Sequence, residues 1–265
     1  MNRQELKNKK RIVVKIGTTS LTYQNGKLNL RRIGKLATVL SDLRNQGKEV
    51  ILVSSGAIAV GSDRLSLTER PRDVRLKQAA SAVGQAVLMQ IYENFFTEYN
   101  QKIAQILLTK DVVDEPLRKQ YARDTFFTLL NMGVIPIVNE NDTVAIDELD
   151  ITFSENDMLS AYVTCLTDSD LLILLSDNEG LYDDDPRQNP DAKLIEYVEN
   201  ITEDIVKIAG GSGTTFGTGG AAAKLAAARM VTEQGIDMVI ALGQEPAILY
   251  DILDGHMVGT LFSAK

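Results

Sequence analysis

The chain has 265 residues, 44% hydrophobic and 24% charged, which is enough apolar material for a large core and too much for a disordered protein. Its 36 acidic and 28 basic side chains give a formal net charge of -8, which repels polyphosphate backbones and argues against nucleic-acid binding. The N-terminus MNRQELKNKK is polar, and no stretch reaches the roughly 18 apolar residues of a spanning helix, so a cytoplasmic protein without membrane contact is expected.

After a polar tail over residues 1–10, one domain is expected over 11–265. Apolar, β-branched runs at 11–16, 49–53, 102–108, 133–138, 170–175 and 237–241 predict strands. Most lack polar alternation, as strands covered on both faces do. Between them, residues 30–46 carry Ile33, Leu36, Ala37, Leu40 and Leu43 on one helical stripe, with Asn29 as N-cap and Gly47 at the stop. Further helices are predicted at 74–99, 118–131, 155–167, 202–209, 221–234 and 246–253. Repeated strand–helix units predict an α/β fold, a three-layer αβα sandwich with a mainly parallel central sheet. The aspartate-rich stretch SDNEGLYDDDPRQNPDAK reads as a surface excursion after a strand.

Absences narrow the chemistry. His256 is the sole histidine and lies in the turn-like stretch LDGHMVG, so Ser-His-Asp and Cys-His catalysis are excluded. Cys165 is the sole cysteine; it rules out an internal disulfide and a cysteine zinc site, and its helical spacing from Leu159 and Tyr162 marks a core residue. The reaction must run on carboxylates, lysines and backbone amides.

In open α/β sheets, ligands bind beyond the carboxyl ends of the strands. The first strand ends VVKIGTTS, with Lys15 at the end of an apolar run and Gly17 after it. A charge there needs a partner, and a phosphate would serve. The second ends SSGAIAVG, where Gly56 permits close backbone approach and the amides of Ala57 and Ile58 could open a helix as an anion site. The fourth ends NENDTVAID, amides and carboxylates suited to an amino-acid ammonium or a metal; the fifth ends SDNEG. In GGSGTTFGTGGAAAK six glycines precede a helix carrying Lys224, which offers free amides and a point charge to a polyphosphate. Gly217, Gly219 and Ala222 also fit a dinucleotide fingerprint with Asp237 twenty residues on, but Asp237 would begin a strand where the ribose-binding acid should end one. Ser154 and Asp157 in SENDMLSAY have the spacing of a capping box. Asp157 could cap the helix, orient the two lysines, or do both.

VVKIGTTSLT, VSSGAIAVG, PIVNENDTV, SENDMLSA, LLSDNEGLYDDDPR and the GTGG loop before Lys224 occur in this order. Together they resemble the amino acid kinase family, in particular its glutamate 5-kinases, over residues 11–262. The resemblance implies ATP-dependent phosphorylation of the γ-carboxylate of L-glutamate, the first step of proline biosynthesis, with Mg²⁺ bridging the phosphates of ATP and no metal ligand from the protein. It implies catalytic roles for Lys15, Lys224 and Asp157, and glutamate contacts from Ser55, Gly56, Asp142 and Asn156. It places ATP against Lys15, Gly17, Ser176, Asp177, Thr218, Gly219, Gly220, Ala221, Ala222, Ala223 and Lys224. Feedback inhibition by proline, a homo-oligomer (dimer or tetramer) and the short form without a C-terminal RNA-modification-type domain follow from the same resemblance. Another acceptor on the same fold, or a regulator that binds nucleotide or amino acid without turnover, are the alternatives. Where the family's loop carries a threonine before the lysine, this chain has Ala223; one missing hydroxyl–phosphate bond should cost on the order of 1 kcal/mol.

Overall fold

A computed structural model describes residues 3–69, 71–144, 156–184, 186, 189–210 and 220–264. Eight strands form one sheet: β1 (Arg11–Ile16), β2 (Glu49–Ser54), β3 (Ile103–Leu108), β4 (Ile135–Glu140), β5 (Leu171–Ser176), β6 (Tyr197–Val198), β7 (Asp237–Leu242) and β8 (Thr260–Phe262). Their order is β3-β4-β2-β1-β5-β7-β8-β6, and every pairing is parallel except β7 with β8. The helices are α1 (Thr18–Leu21), α2 (Leu30–Asn45), α3 (Ala57–Arg64), α4 (Val74–Thr97), α5 (Lys110–Asp114), α6 (Pro116–Asn131), α7 (Asn156–Leu166), α8 (Glu203–Gly210), α9 (Gly220–Thr232) and α10 (Ile248–Leu253).

All six predicted strands and seven predicted helices are present with ends shifted by a few residues. The Asn29 side chain caps α2 by accepting from the Arg32 amide. Pro116 lies at the start of α6, while the 246–253 helix begins two residues later than expected. The elements not anticipated are short: α1, α5, β6, β8 and a 3-10 turn over Arg3–Asn8. That turn falls in the segment expected as a tail. The Arg3 guanidinium donates to the carbonyls of His256 (3.2 Å), Val258 (2.6 Å), Glu196 (2.7 Å) and Gly259 (3.0 Å), and Leu6 is buried beneath it. Isolated charges in MNRQELKNKK hide this from a reading of local composition.

Two hydrophobic layers flank the sheet, and β1 supplies both. Ile12, Val14 and Ile16 join the cluster with α2, α4 and α10, whereas Val13 joins the one with α7 and α9. Side chains alternate faces along a strand, so Lys15 follows Val13 to the α7/α9 side. Strand β3 lies at the sheet edge and is only partly covered, which explains the polar Gln105 inside its run. The helices α3 and α4 meet backbone to backbone. A Cβ at Gly84 would stand 1.8 Å from the Ala57 carbonyl oxygen, and one at Gly61 would stand 1.7 Å from that of Ala80. Only glycine permits that approach, and it fixes the start of α3 beside the end of β2.

Candidate active site

Two adjoining hollows open at the carboxyl ends of β1, β2, β4 and β5. The first, of about 270 Å³, is lined by Lys15, Gly17, Thr18, Thr19, Ser55, Asn156, Asp157, Leu175, Ser176, Asp177, Gly220 and Lys224. Its centre is a three-membered charge array. Lys15 Nζ lies 2.5 Å from Asp157 Oδ1, and Lys224 Nζ lies 3.0 Å from Oδ2. Asp157 is 4% exposed and Lys15 9%. Burial works against the Asp157 charge, but the two ammonium groups prevail and hold the carboxylate below its usual range. The partner that Lys15 needs at the end of its apolar strand is therefore Asp157, from the first turn of α7. Lys224 Nζ also donates to the Gly220 carbonyl at 3.3 Å, one turn earlier in α9.

The second hollow, of about 160 Å³, is lined by Thr18, Ser55, Gly56, Ala57, Ile58, Ala59, Asn139, Glu140, Asp142 and Asn156. Asn156 joins the two: its side-chain amide donates to Ser55 Oγ (2.7 Å), to the Ser54 carbonyl (3.0 Å) and to Asn139 Oδ1 (3.1 Å). Gly56 has φ of +101°, a left-handed conformation that turns the chain from β2 into α3. Helix α4 supports the floor. Ser81 Oγ donates to Asp142 Oδ2 at 2.6 Å, and Asn139 Nδ2 donates to Gln85 Oε1 at 2.9 Å. Burial raises the Asp142 carboxyl above its ordinary range against that hydroxyl bond. Burial, with Asp142 nearby, pushes Glu140 up to about 7.

The structure thus brings together Lys15, Gly17, Ser176, Asp177, Gly220, Lys224 and Asp157 in one hollow, Gly56 and Asp142 in the other, and Ser55 and Asn156 in both. Ala221, Ala222 and Ala223 form the first turn of α9 and line neither; Ala221 packs against the core and Ala222 faces away beside Leu225. Thr218, Gly219 and Ser154 lie outside the described residues. Glu140, Ser81 and Gln85 were not singled out from the sequence. Ser81 and Gln85, four apart and both buried in α4, carried a usable signal: two polar residues on an apolar helical face need partners.

The side features resolve as expected. Asp237 begins β7, fully buried, where it pairs with Lys9 at 2.6 Å and accepts from the Ala264 amide, so it binds no ribose. His256 is exposed and pairs with Asp251. Burial pushes the Cys165 thiol up to about 11, away from reactivity.

The profile of the amino acid kinase family matches residues 10–242. The chain belongs to the amino acid kinase family. Among its relatives, glutamate 5-kinase of Clostridium perfringens is 53% identical over 265 residues, 99% of this chain and 98% of that protein. Glutamate 5-kinase of Listeria innocua is 51% identical, over 99% of this chain and 96% of its own length. In structure the fold is similar to UMP kinase from Ureaplasma parvum (TM-score 0.65, 17% identity, 96% of this chain and 99% of that one). It is equally similar to carbamate kinase from Giardia lamblia bound to AMP-PNP (TM-score 0.65, 15% identity, 98% and 100%). The amino acid kinase fold class read from the sequence is the one observed, and no helix among the described residues is long and apolar enough to cross a membrane.

Proposed function

We propose that this chain transfers the γ-phosphoryl group of ATP to the γ-carboxylate of L-glutamate, giving γ-glutamyl 5-phosphate, the first step of proline biosynthesis. The observation that carries the reading is the Lys15–Asp157–Lys224 array beside a hollow whose charged lining groups, among the described residues, are Glu140 and Asp142. The relatives at about half identity over nearly their whole length supply the acceptor. In this reading the triphosphate lies in the 270 Å³ hollow against Lys15, Gly17, Gly220 and Lys224, with Ser176 and Asp177 at the nucleotide side. Glutamate occupies the smaller hollow, its ammonium on Asp142 and its backbone carboxylate on Ser55 and the amides after Gly56.

A glutamate side chain is already ionised at neutral pH, so a γ-carboxylate oxygen attacks the γ-phosphorus without a general base. One O–P bond forms, the bridge to the β-phosphate breaks, and ADP leaves with the bridging electrons. Lys15 and Lys224 meet the charge on the moving group, while Asp157 keeps both aimed at one point. Such preorganised charge is the main catalytic device in phosphoryl transfer. No three acidic, cysteine or histidine side chains converge among the described residues. In this reading Mg²⁺ would enter with the nucleotide's phosphates and neutralise part of their charge.

An assay with ATP, L-glutamate, Mg²⁺ and hydroxylamine tests the reading by trapping the acyl phosphate as γ-glutamyl hydroxamate. Product that requires both substrates supports it; absence of product from folded, ATP-binding protein overturns it. Proline inhibition belongs to the same proposal. Proline should compete in the smaller hollow, and inhibition that saturating glutamate fails to relieve would count against competition there. A cytoplasmic homo-oligomer, dimer or tetramer, completes the proposal, and sedimentation would measure its size.

A further inference from the structure

Glu140 stands at the carboxyl end of β4, inside the hollow assigned above to glutamate, and no role has been given to it. Its backbone amide donates to Asn139 Oδ1 at 3.0 Å, and Leu108 of β3 is its partner across the ladder. No cation meets its carboxyl among the described residues. The groups around it are these: Thr18 after β1, Ser55 and the start of α3 after β2, Asn139 on its own strand, and Asn156 from α7, all neutral. Ser81 and Gln85 from α4 are neutral too, and both are spent on Asp142 and Asn139. Asp157, next to Asn156, has its charge met by Lys15 and Lys224. Asp111, in the α5 that follows β3, is bonded by Thr109 and Arg118. Among the described residues that line the hollow, the one other charged group is Asp142, a second carboxyl. Glu140 and Asp142 thus line a 160 Å³ hollow that no cation among the described residues lines, and repulsion between two carboxyls is relieved either by a proton or by a cationic ligand.

We propose that Glu140 is a specificity-determining residue for the acceptor, sharing the substrate's α-ammonium group with Asp142 and releasing a proton to solvent when that group arrives. This rests on the glutamate reading of the hollow. The proton balance is simple: the ammonium stays charged, the Glu140 carboxyl loses its proton to buffer, and the free enzyme regains it when substrate leaves. The half-titrated state at about pH 7 agrees with that exchange. The device selects amino acids over dicarboxylates of the same length, because an acceptor without the ammonium leaves the repulsion in place.

The experiment is hydroxamate formation at pH 6 to 8.5 for wild type, Glu140→Gln and Glu140→Asp, with KM for L-glutamate and for ATP measured separately. Since the ionised carboxyl binds the ammonium, wild-type KM for glutamate should fall as pH rises, by up to about tenfold between pH 6 and 8. Glu140→Gln should raise KM for glutamate at pH 8 by roughly tenfold, flatten its pH profile and leave KM for ATP alone. Glu140→Asp should restore the pH slope. A Gln variant with wild-type KM and slope overturns the role of Glu140 while leaving glutamate as acceptor; wild-type enzyme that forms no hydroxamate overturns both. Should the variants fail to fold, calorimetry of L-glutamate binding to wild type in buffers of different ionisation enthalpy decides. Release of more than about half a proton per site at pH 6.5, and close to none at pH 8.5, is expected; no release at either pH overturns the proposal.

Discussion

Asp157 lies buried between two lysines at the centre of the proposed site. On the proposed role of Lys224, replacing it with Met removes a cation from the transferring phosphoryl group, and kcat should fall by about 10²-fold or more. Steady-state kinetics with ATP binding as control would check it, and unchanged turnover would remove the lysine from the mechanism. The titratable groups of the cleft act on stability in opposite directions. Asp157 is held below its ordinary value, so its contribution is present above about pH 4 and is lost as pH falls through its folded value. Glu140 is raised from 4.5 to about 7, so the folded state holds the extra proton and stability is lost as pH rises between those values. Substrate-free Glu140→Gln should therefore melt higher than wild type at pH 8, and the gap should close near pH 5. Melting curves at the two pH values measure the difference, and a gap that does not change with pH would contradict it. Residue identity carried much of this: Lys15 after an apolar strand was legible as a charge needing a partner, and Lys224 after glycines as a point charge for a polyphosphate. The carboxylate serving both was legible only as one of two readings of a capping box.

At the scale of elements, α3 and α4 carry the strictest constraint. Gly84 lies against the Ala57 carbonyl, and the added methyl of Gly84→Ala has no flexible neighbour to displace, since the obstacle is backbone. Overpacking of this kind costs about 1–3 kcal/mol and often more. We expect a clear drop in melting temperature together with a raised KM for glutamate, because the start of α3 lines the smaller hollow. A variant with wild-type melting and KM would show that α3 shifts freely. The periodicity of α4 predicts its length almost to the residue, yet gives no hint of this contact. A glycine inside a helical pattern looks the same whether it is tolerated or required.

For the molecule as a whole, the N-terminal turn is stitched to the far end of the chain. Arg3 bonds four carbonyls from Glu196 and the stretch before β8, and none of these residues lines either hollow. Arg3→Ala strips partners from those carbonyls and should lower stability by about 2–3 kcal/mol while kcat and both KM values hold. Denaturant unfolding beside steady-state kinetics would check the separation. A loss of activity without a loss of stability would instead place the turn within the catalytic unit.

By itself the sequence determined the alternation of buried strands and amphipathic helices, because unbroken apolar runs and helical stripes are local patterns tied to burial on both faces of a sheet. It also marked strand ends that line the two hollows, since charge and glycine after an apolar run are visible without coordinates. The tertiary structure alone decided the pairing of Lys15, Asp157 and Lys224, up to 209 positions apart, and the side of the sheet on which they meet. It likewise decided that Glu140 and Asp142 share a hollow lined by no cation among the described residues, and that Arg3–Asn8 form an anchored turn. Each of these depends on contacts between distant segments, whose closeness is set by strand order and by which face each side chain takes.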